Sequence, residues 1–293
     1  MVGGPCYRDV MSTPKNPVMR AIADLVRERI QQYKGQRESI EAFVEANPDA
    51  PERQRKADRE AVALELERLE ELYGEVLPYV RKIRSFVPEV LDQNRLTAAY
   101  FLFGKVSRGL RAIFLLARGG FHHEVLEIVR SGREALDLVA LFLGEAEGSP
   151  LLEKWFGGEI VENEKARASV EKLIGQETEV ALSVGDMKAG IYGTLSKYSH
   201  VSYGALLESY DVLKADFDFD GGAGFHYVRA GDLRYVRGEI AGLIIALKAF
   251  YMTVGDLQSY EQLDAILRKR APEMFDEGQR KKRVDDIRKK FGA

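Results

Sequence analysis

The sequence is poor in the residues that build cross-linked or metal-bound folds. It contains a single cysteine, Cys6, among 293 residues. One cysteine excludes an intrachain disulfide framework and a zinc site made of thiolates. Histidine is nearly as scarce, with four in the chain, and the neighbours His122 and His123 would point apart on a helix. We therefore expect neither a bound metal nor a cofactor.

Long apolar runs are also missing. The most apolar run, Ile240 to Val254, is interrupted by Lys248, and it is too short and too charged to span a bilayer. We expect residues 1–16 to be a loose leader, and they lack the apolar stretch that a signal peptide needs. We therefore expect a cytoplasmic protein that does not enter membranes.

The motifs of common catalytic and binding sites are absent as well. There is no G-x-S-x-G, no H-E-x-x-H and no glycine-rich phosphate loop. Asp216, Asp218, Asp220 and Gly221 resemble the start of a calcium loop, but the twelfth position, which should be a bidentate glutamate, is Tyr227. This segment alternates aromatic and acidic residues, which favours a short hairpin-like excursion over 210–227 that turns at residues 221–224.

The charge is nearly balanced overall but unevenly distributed. The net charge is −3, whereas the terminal segment 273–293 is a basic tail. Such a tail can contact a phosphate backbone, although a solvated helix end has the same composition.

What the chain does contain is long helical periodicity. Residues 17–46 and 53–93 have apolar residues at helical spacing, and the two prolines of segment 47–51 end the first helix. We interpret 17–93 as an antiparallel helical hairpin. The second helix of the hairpin carries an apolar a/d seam: Val62, Leu66, Leu69, Tyr73, Val76, Val80, Ile83, Val87 and Val90. The seam packs either on the core or on a second subunit, and we favour the core.

The segment 94–272 reads as a helical bundle. Helices are predicted over 96–118, 121–144, 151–156, 159–174, 177–208, 233–254 and 260–270. Gly119 and Gly120 end the first of these, and Ser149 with Pro150 begins the third. The fold class is therefore all-α, an antiparallel helical bundle with an N-terminal hairpin.

Two polar stripes interrupt the apolar pattern of this bundle. Arg130, Glu134 and Asp137 share one face of a helix that should be buried. A buried Arg130 would need Glu134, and replacing Glu134 by alanine would then cost about 3 kcal/mol or more. The second stripe consists of Tyr192, Ser196 and His200, which recur at intervals of one helical turn. Two further hydroxyl residues, Ser199 and Tyr203, lie next to it. If the stripes face each other, they form one buried network, either functional or structural.

These residues also carry a resemblance. The pattern Arg130-Ser131-x-x-Glu134 after a Gly-Gly turn, Trp155 in a following short helix, and Tyr192-x-x-Leu195-Ser196-x-x-x-His200 resembles a family of uncharacterised bacterial helical proteins. That family is placed near the HEPN (higher eukaryotes and prokaryotes nucleotide-binding) superfamily. The resemblance covers roughly 95–255. It implies an all-helical, commonly dimeric domain in a superfamily that includes RNA-cleaving toxins.

Three functions follow as hypotheses. The leading one is a non-catalytic HEPN-like module that forms a homodimer and contacts RNA or a protein partner. The first alternative is a metal-independent endoribonuclease, with His200 as acid/base, Arg130 stabilising a phosphate, and Glu134 beside them. The second alternative is a structural coiled-coil partner protein, which requires the 62–90 seam to be exposed.

The spacing of arginine and histidine decides the order of these hypotheses. Ribonucleases of the HEPN superfamily carry an arginine and, after four to six intervening residues, a histidine. The matching positions before His200 hold Gly193, Thr194 and Leu195. Arg118 and His123 fit the spacing, but a Gly-Gly turn separates them.

Overall fold

The structure is a computed structural model that describes residues 45–87, 92–161, 163–177 and 233–272, together with positions 31, 35, 42, 89, 195, 210–211 and 216–217. The described helices follow one another along the chain: α1 Ala50–Lys82, α2 Arg95–Arg118, α3 His122–Gly144, α4 Pro150–Phe156, α5 Asn163–Glu177, α6 Arg234–Val254 and α7 Leu257–Arg270. This arrangement confirms the predicted all-α fold.

The a/d seam of α1 is buried against the rest of the chain. Its described members from Leu66 to Val87 are at most 8% exposed, and α1 packs against α2, α6 and α7. The core-packing interpretation is therefore confirmed. The coiled-coil alternative requires an exposed seam. The described seam residues from Leu66 to Val87 are instead covered by the rest of the chain.

The end of α1 differs from the prediction. The helix passes through Pro78 and ends at Lys82, where a single 3₁₀ turn, Ile83–Phe86, follows. The sequence pattern predicts a helix that continues to residue 93. The tighter turn places Ile83 in the core. Most of segments 17–46 and 177–208, and the basic tail 273–293, lie outside the described residues.

Among the described helices, α2 and α3 form the most extensive pair. Asn94 caps α2 by accepting hydrogen bonds from the backbone N–H groups of Leu96 and Thr97. The chain then reverses within Gly119 and Gly120, and Gly120 has a φ of 81°, which only glycine adopts without strain. The short connection forces the two helices to lie antiparallel.

Helix α6 is the centre of the fold. It contacts α1, α2, α3, α5 and α7, and its side chains are buried on nearly every face. The Tyr251 hydroxyl donates a hydrogen bond to the backbone carbonyl of Tyr79 at 2.5 Å. Rings of Phe86 and Phe103 meet Phe250 edge-on, which is a preferred aromatic geometry.

Other predicted boundaries shift by a few residues. Helix α4 begins at Pro150 with Ser149 as its N-cap, as predicted. Helix α5 begins at Asn163, four residues later than expected. Helix α7 begins at Leu257, before the predicted 260, because Asp256 accepts a hydrogen bond from the Ser259 backbone N–H and so caps it.

The predicted hairpin-like excursion is present, but its pairing lies earlier than expected. Strands β1 (Tyr210–Asp211) and β2 (Asp216–Phe217) pair antiparallel, with Tyr210 opposite Phe217. The predicted turn at residues 221–224 lies outside the described residues. The described segments contain no helix long and apolar enough to cross a membrane.

A buried lysine joins the last two helices. Lys248 on α6 is 1% exposed, and its Nζ lies 2.6 Å from Oδ1 of Asp264 on α7. The same Nζ lies 4.9 Å from the ring centroid of Tyr260. The other carboxylate oxygen, Oδ2, accepts a hydrogen bond from Arg268 at 2.6 Å. A charge that interrupts the apolar run of α6 is thus neutralised by α7.

We predict that Asp264→Ala destabilises the protein more than Lys248→Met. The first change leaves an ammonium group buried without its carboxylate, which costs about 3–5 kcal/mol. The second replaces the lysine with an apolar side chain of similar length, while Asp264 keeps Arg268. Urea unfolding measures both free energies, and equal losses would contradict the prediction.

Candidate functional site

The two polar residues expected to act together on α3 do contact each other. Arg130 Nε lies 3.2 Å from Glu134 Oε1, and their side chains are 17% and 32% exposed. The pair is therefore only partly buried and lies within one helix. Such a pair contributes a few tenths to about 1 kcal/mol, so the 3 kcal/mol expected for Glu134→Ala is too large.

Asp137 differs from these two residues because its side chain is buried deep between helices. It is 3% exposed. Burial raises the pKa of its carboxyl to about 7, although the charges of Arg133 and Arg167 act in the opposite direction. Asp137 therefore gains or loses its proton near neutral pH, where an exposed aspartate would be fully ionised.

The partners of this cluster are two residues that sequence reasoning missed. Arg133 on α3 and Glu239 on α6 are 14% and 1% exposed, and Arg133 Nε lies 3.3 Å from Glu239 Oε2. Arg133 Nη2 also donates to the backbone carbonyl of Gly238 at 2.8 Å. Neither oxygen of Glu239 accepts a hydrogen bond from the described part of the chain. The ion pair therefore joins α3 to α6 without satisfying the carboxylate.

Burial also raises the pKa of Glu239 to about 7. Arg133 lowers this pKa, and the nearby Asp137 raises it. We call Arg133, Asp137 and Glu239 the crossing cluster, because all three lie where α3 meets α6. With two acids that titrate near neutral pH, the cluster can retain a proton that exposed carboxyls would have released.

Glycines make room for these charged side chains. A Cβ at Gly132 would overlap with Oε1 of Glu239, and a Cβ at Gly242 would lie 2.7 Å from Nη1 of Arg133. Each helix thus places a glycine where the other helix inserts a charged residue. The two glycines therefore allow a close crossing of α3 and α6. A glutamate flanked by glycines in an apolar helix was the signal that could have revealed Glu239.

The remaining predicted site residues lie outside the described part of the chain: Tyr192, Ser196, Ser199, His200 and Tyr203. A site that combines Arg130 and Glu134 with His200 therefore stays a prediction.

Arg118, the arginine with ribonuclease-like spacing to His123, binds a different residue. Its Nη2 donates to Glu70 Oε2 at 2.5 Å, which links the end of α2 to α1. The described ranges hold no cluster of histidine, cysteine, aspartate and glutamate that could bind a metal.

Comparisons with known proteins give no relatives for this arrangement. No protein-family model, no curated protein and no solved structure matches the chain.

We predict that Gly132→Ala destabilises the protein by about 1–3 kcal/mol, because the added methyl overlaps with the buried carboxylate of Glu239. Gly74→Ala is the matched control: a Cβ there meets nothing within 4 Å, so helix propensity should make it neutral or stabilising. Thermal unfolding measures both. A Gly132→Ala variant as stable as wild type would contradict the close crossing of α3 and α6.

We also predict that stability falls as the pH rises from about 5 to 8. The folded-state pKa values of Asp137 and Glu239 lie above their unfolded values, so the native state binds more protons in this window. Arg133, Arg167 and Glu134 are the charged groups that act on these acids. The slope is at most about 1.4 kcal/mol per pH unit for each acid.

The control for this pH dependence is Glu239→Gln, which cannot ionise. Urea unfolding across the same pH range should give a shallower decline for the variant than for wild type. Parallel curves would mean that Glu239 does not titrate there.

Proposed function

We propose that the protein is a non-catalytic, HEPN-like helical module that forms a homodimer and contacts RNA or a protein partner in the cytoplasm. The observation that supports the non-catalytic role is the closure of the crossing cluster. Its two acids are 3% and 1% exposed, and its arginine is held by α6. A catalytic site needs a cleft that substrate can enter, and a sealed ion pair between helices serves packing.

The partly exposed pair on α3 supports the same proposal. In the endoribonuclease alternative, Arg130 would stabilise a phosphate, but its guanidinium already contacts Glu134 one turn away. A substrate phosphate would have to compete with that carboxylate, which also repels the phosphate charge. No described contact therefore favours the nuclease.

The surface of α2 supports a role in binding. This helix contains no acidic residue and exposes Lys105, Arg108 and Arg111. Such a surface attracts anionic partners. The homodimer is what the family resemblance implies.

We predict that light scattering during gel filtration gives twice the 33.0 kDa mass of the chain. A monomeric mass at micromolar concentration would contradict the dimer.

We further predict that a labelled single-stranded RNA stays intact when incubated with the protein. The matched variants are Arg130→Ala and His200→Ala. Cleavage by wild type that both variants abolish would establish the endoribonuclease instead. Cleavage that persists in both variants would point to a contaminating nuclease.

A further inference from the structure

The exposed side of α2 is chemically unlike the rest of that helix. Its exposed residues recur every three or four positions and so share one face: Phe101, Lys105, Arg108, Arg111, Leu115 and Arg118. No aspartate or glutamate occurs anywhere in the helix. The cations therefore have no neutralising neighbour on their own element.

The cations at the two ends of α2 are used within the chain. Arg95 Nε lies 3.1 Å from Glu147 Oε1, and Arg118 pairs with Glu70 at 2.5 Å. The three central ones, Lys105, Arg108 and Arg111, form no ion pair or hydrogen bond with any residue that the structure describes. Contacts within the described part of the chain therefore give these three cations no role.

The dimensions of this row suit an extended anionic chain. Lys105 and Arg111 are six residues apart, which is about 9 Å along a helix. That length matches two or three consecutive phosphates of a single strand. Gly104 beside the row has nothing within 4 Å of where a Cβ would lie, so a backbone can approach the helix closely.

An aromatic ring lies at one end of the row. Phe101 is one turn before Lys105 and is 46% exposed. Its ring centroid lies 5.7 Å from that of Tyr100. An exposed ring beside a row of cations is the combination that single-stranded nucleic acids use, because bases stack on the ring while phosphates contact the cations.

We propose that Phe101, Lys105, Arg108 and Arg111, which we call the cationic face, bind the phosphodiester backbone of a single-stranded nucleic acid and stack one base on Phe101. This inference rests on the proposed function and specifies its partner. A docked amphipathic protein helix would need a continuous apolar strip between Phe101 and Leu115, but cations occupy the middle of the face. Duplexes are disfavoured because their bases are not free to stack on Phe101.

The test is fluorescence anisotropy with a labelled twelve-nucleotide oligouridine. The variant replaces Lys105, Arg108 and Arg111 by glutamine. A matched control replaces Lys154, Lys172 and Lys269, exposed cations of α4, α5 and α7, so both variants lose the same charge. Both should melt close to wild type because the replaced residues are exposed.

We predict that the cationic-face variant binds at least tenfold more weakly at low salt, whereas the control changes less than about threefold. The slope of log K against log salt should fall by about 2 in the cationic-face variant, since each lost phosphate contact removes about 0.7. Equal effects of the two variants would overturn the proposal.

Phe101 gives an independent measurement. Phe101→Ala should weaken binding by about 5-fold or more with an unchanged salt slope, and Phe101→Trp should retain it. An oligothymidine of equal length separates an RNA-specific site from a general single-strand site, and a duplex arm should bind more weakly. Preference for the duplex would contradict the stacking role.

The failures of the two proposals are distinguishable. If wild type binds no oligonucleotide at low salt, the cationic face is not a nucleic-acid site, and a protein partner remains for the proposed module. If wild type binds but the cationic-face variant matches the control, the binding function stands and the surface is wrong. If wild type cleaves the strand in a way that depends on Arg130 and His200, the non-catalytic function fails while the surface stands.

Discussion

The contact between α3 and α6 is the constraint on which this bundle depends. Helix α6 is buried on nearly every face, so its single glutamate must find an opposite charge inside the fold. Arg133 supplies that charge from α3, and glycines on both helices bring the two backbones close enough for the pair to form. Removing either charge would leave the other buried in a medium that solvates it poorly. The crossing therefore fixes both the distance and the register of the two helices.

Lys248 applies the same constraint at the other end of α6. Its ammonium is neutralised by Asp264 of α7, which places the final helix beside the core. Buried ion pairs add little net stability, because desolvation offsets their attraction. We infer that they instead select one arrangement among several that would bury similar apolar area. Helix α6 is thus oriented by two charges, one near its first turns and one near its last.

Local signals in the sequence predicted most helices and few of the partners. The a/d seam of α1, the Gly119-Gly120 turn and the Ser149 cap each involve residues within a few positions of one another, so periodicity and capping rules identify them. Arg133 and Glu239 are 106 positions apart, and no local pattern joins them. Sequence reasoning chose Arg130 and Glu134 because they share a face of one helix. That face proved to be partly exposed, whereas the adjacent Arg133 points to α6.

The proline inside α1 has a consequence for how the helix meets water. Pro78 has no N–H, so the carbonyl of Gly74, four residues earlier, lacks its helical donor. Both residues are exposed, which leaves that carbonyl open to hydration. On the opposite side of the same turns, Val76 and Val80 remain in the core. The helix therefore loses one backbone hydrogen bond where solvent can replace it, and the apolar packing of the seam continues without a break.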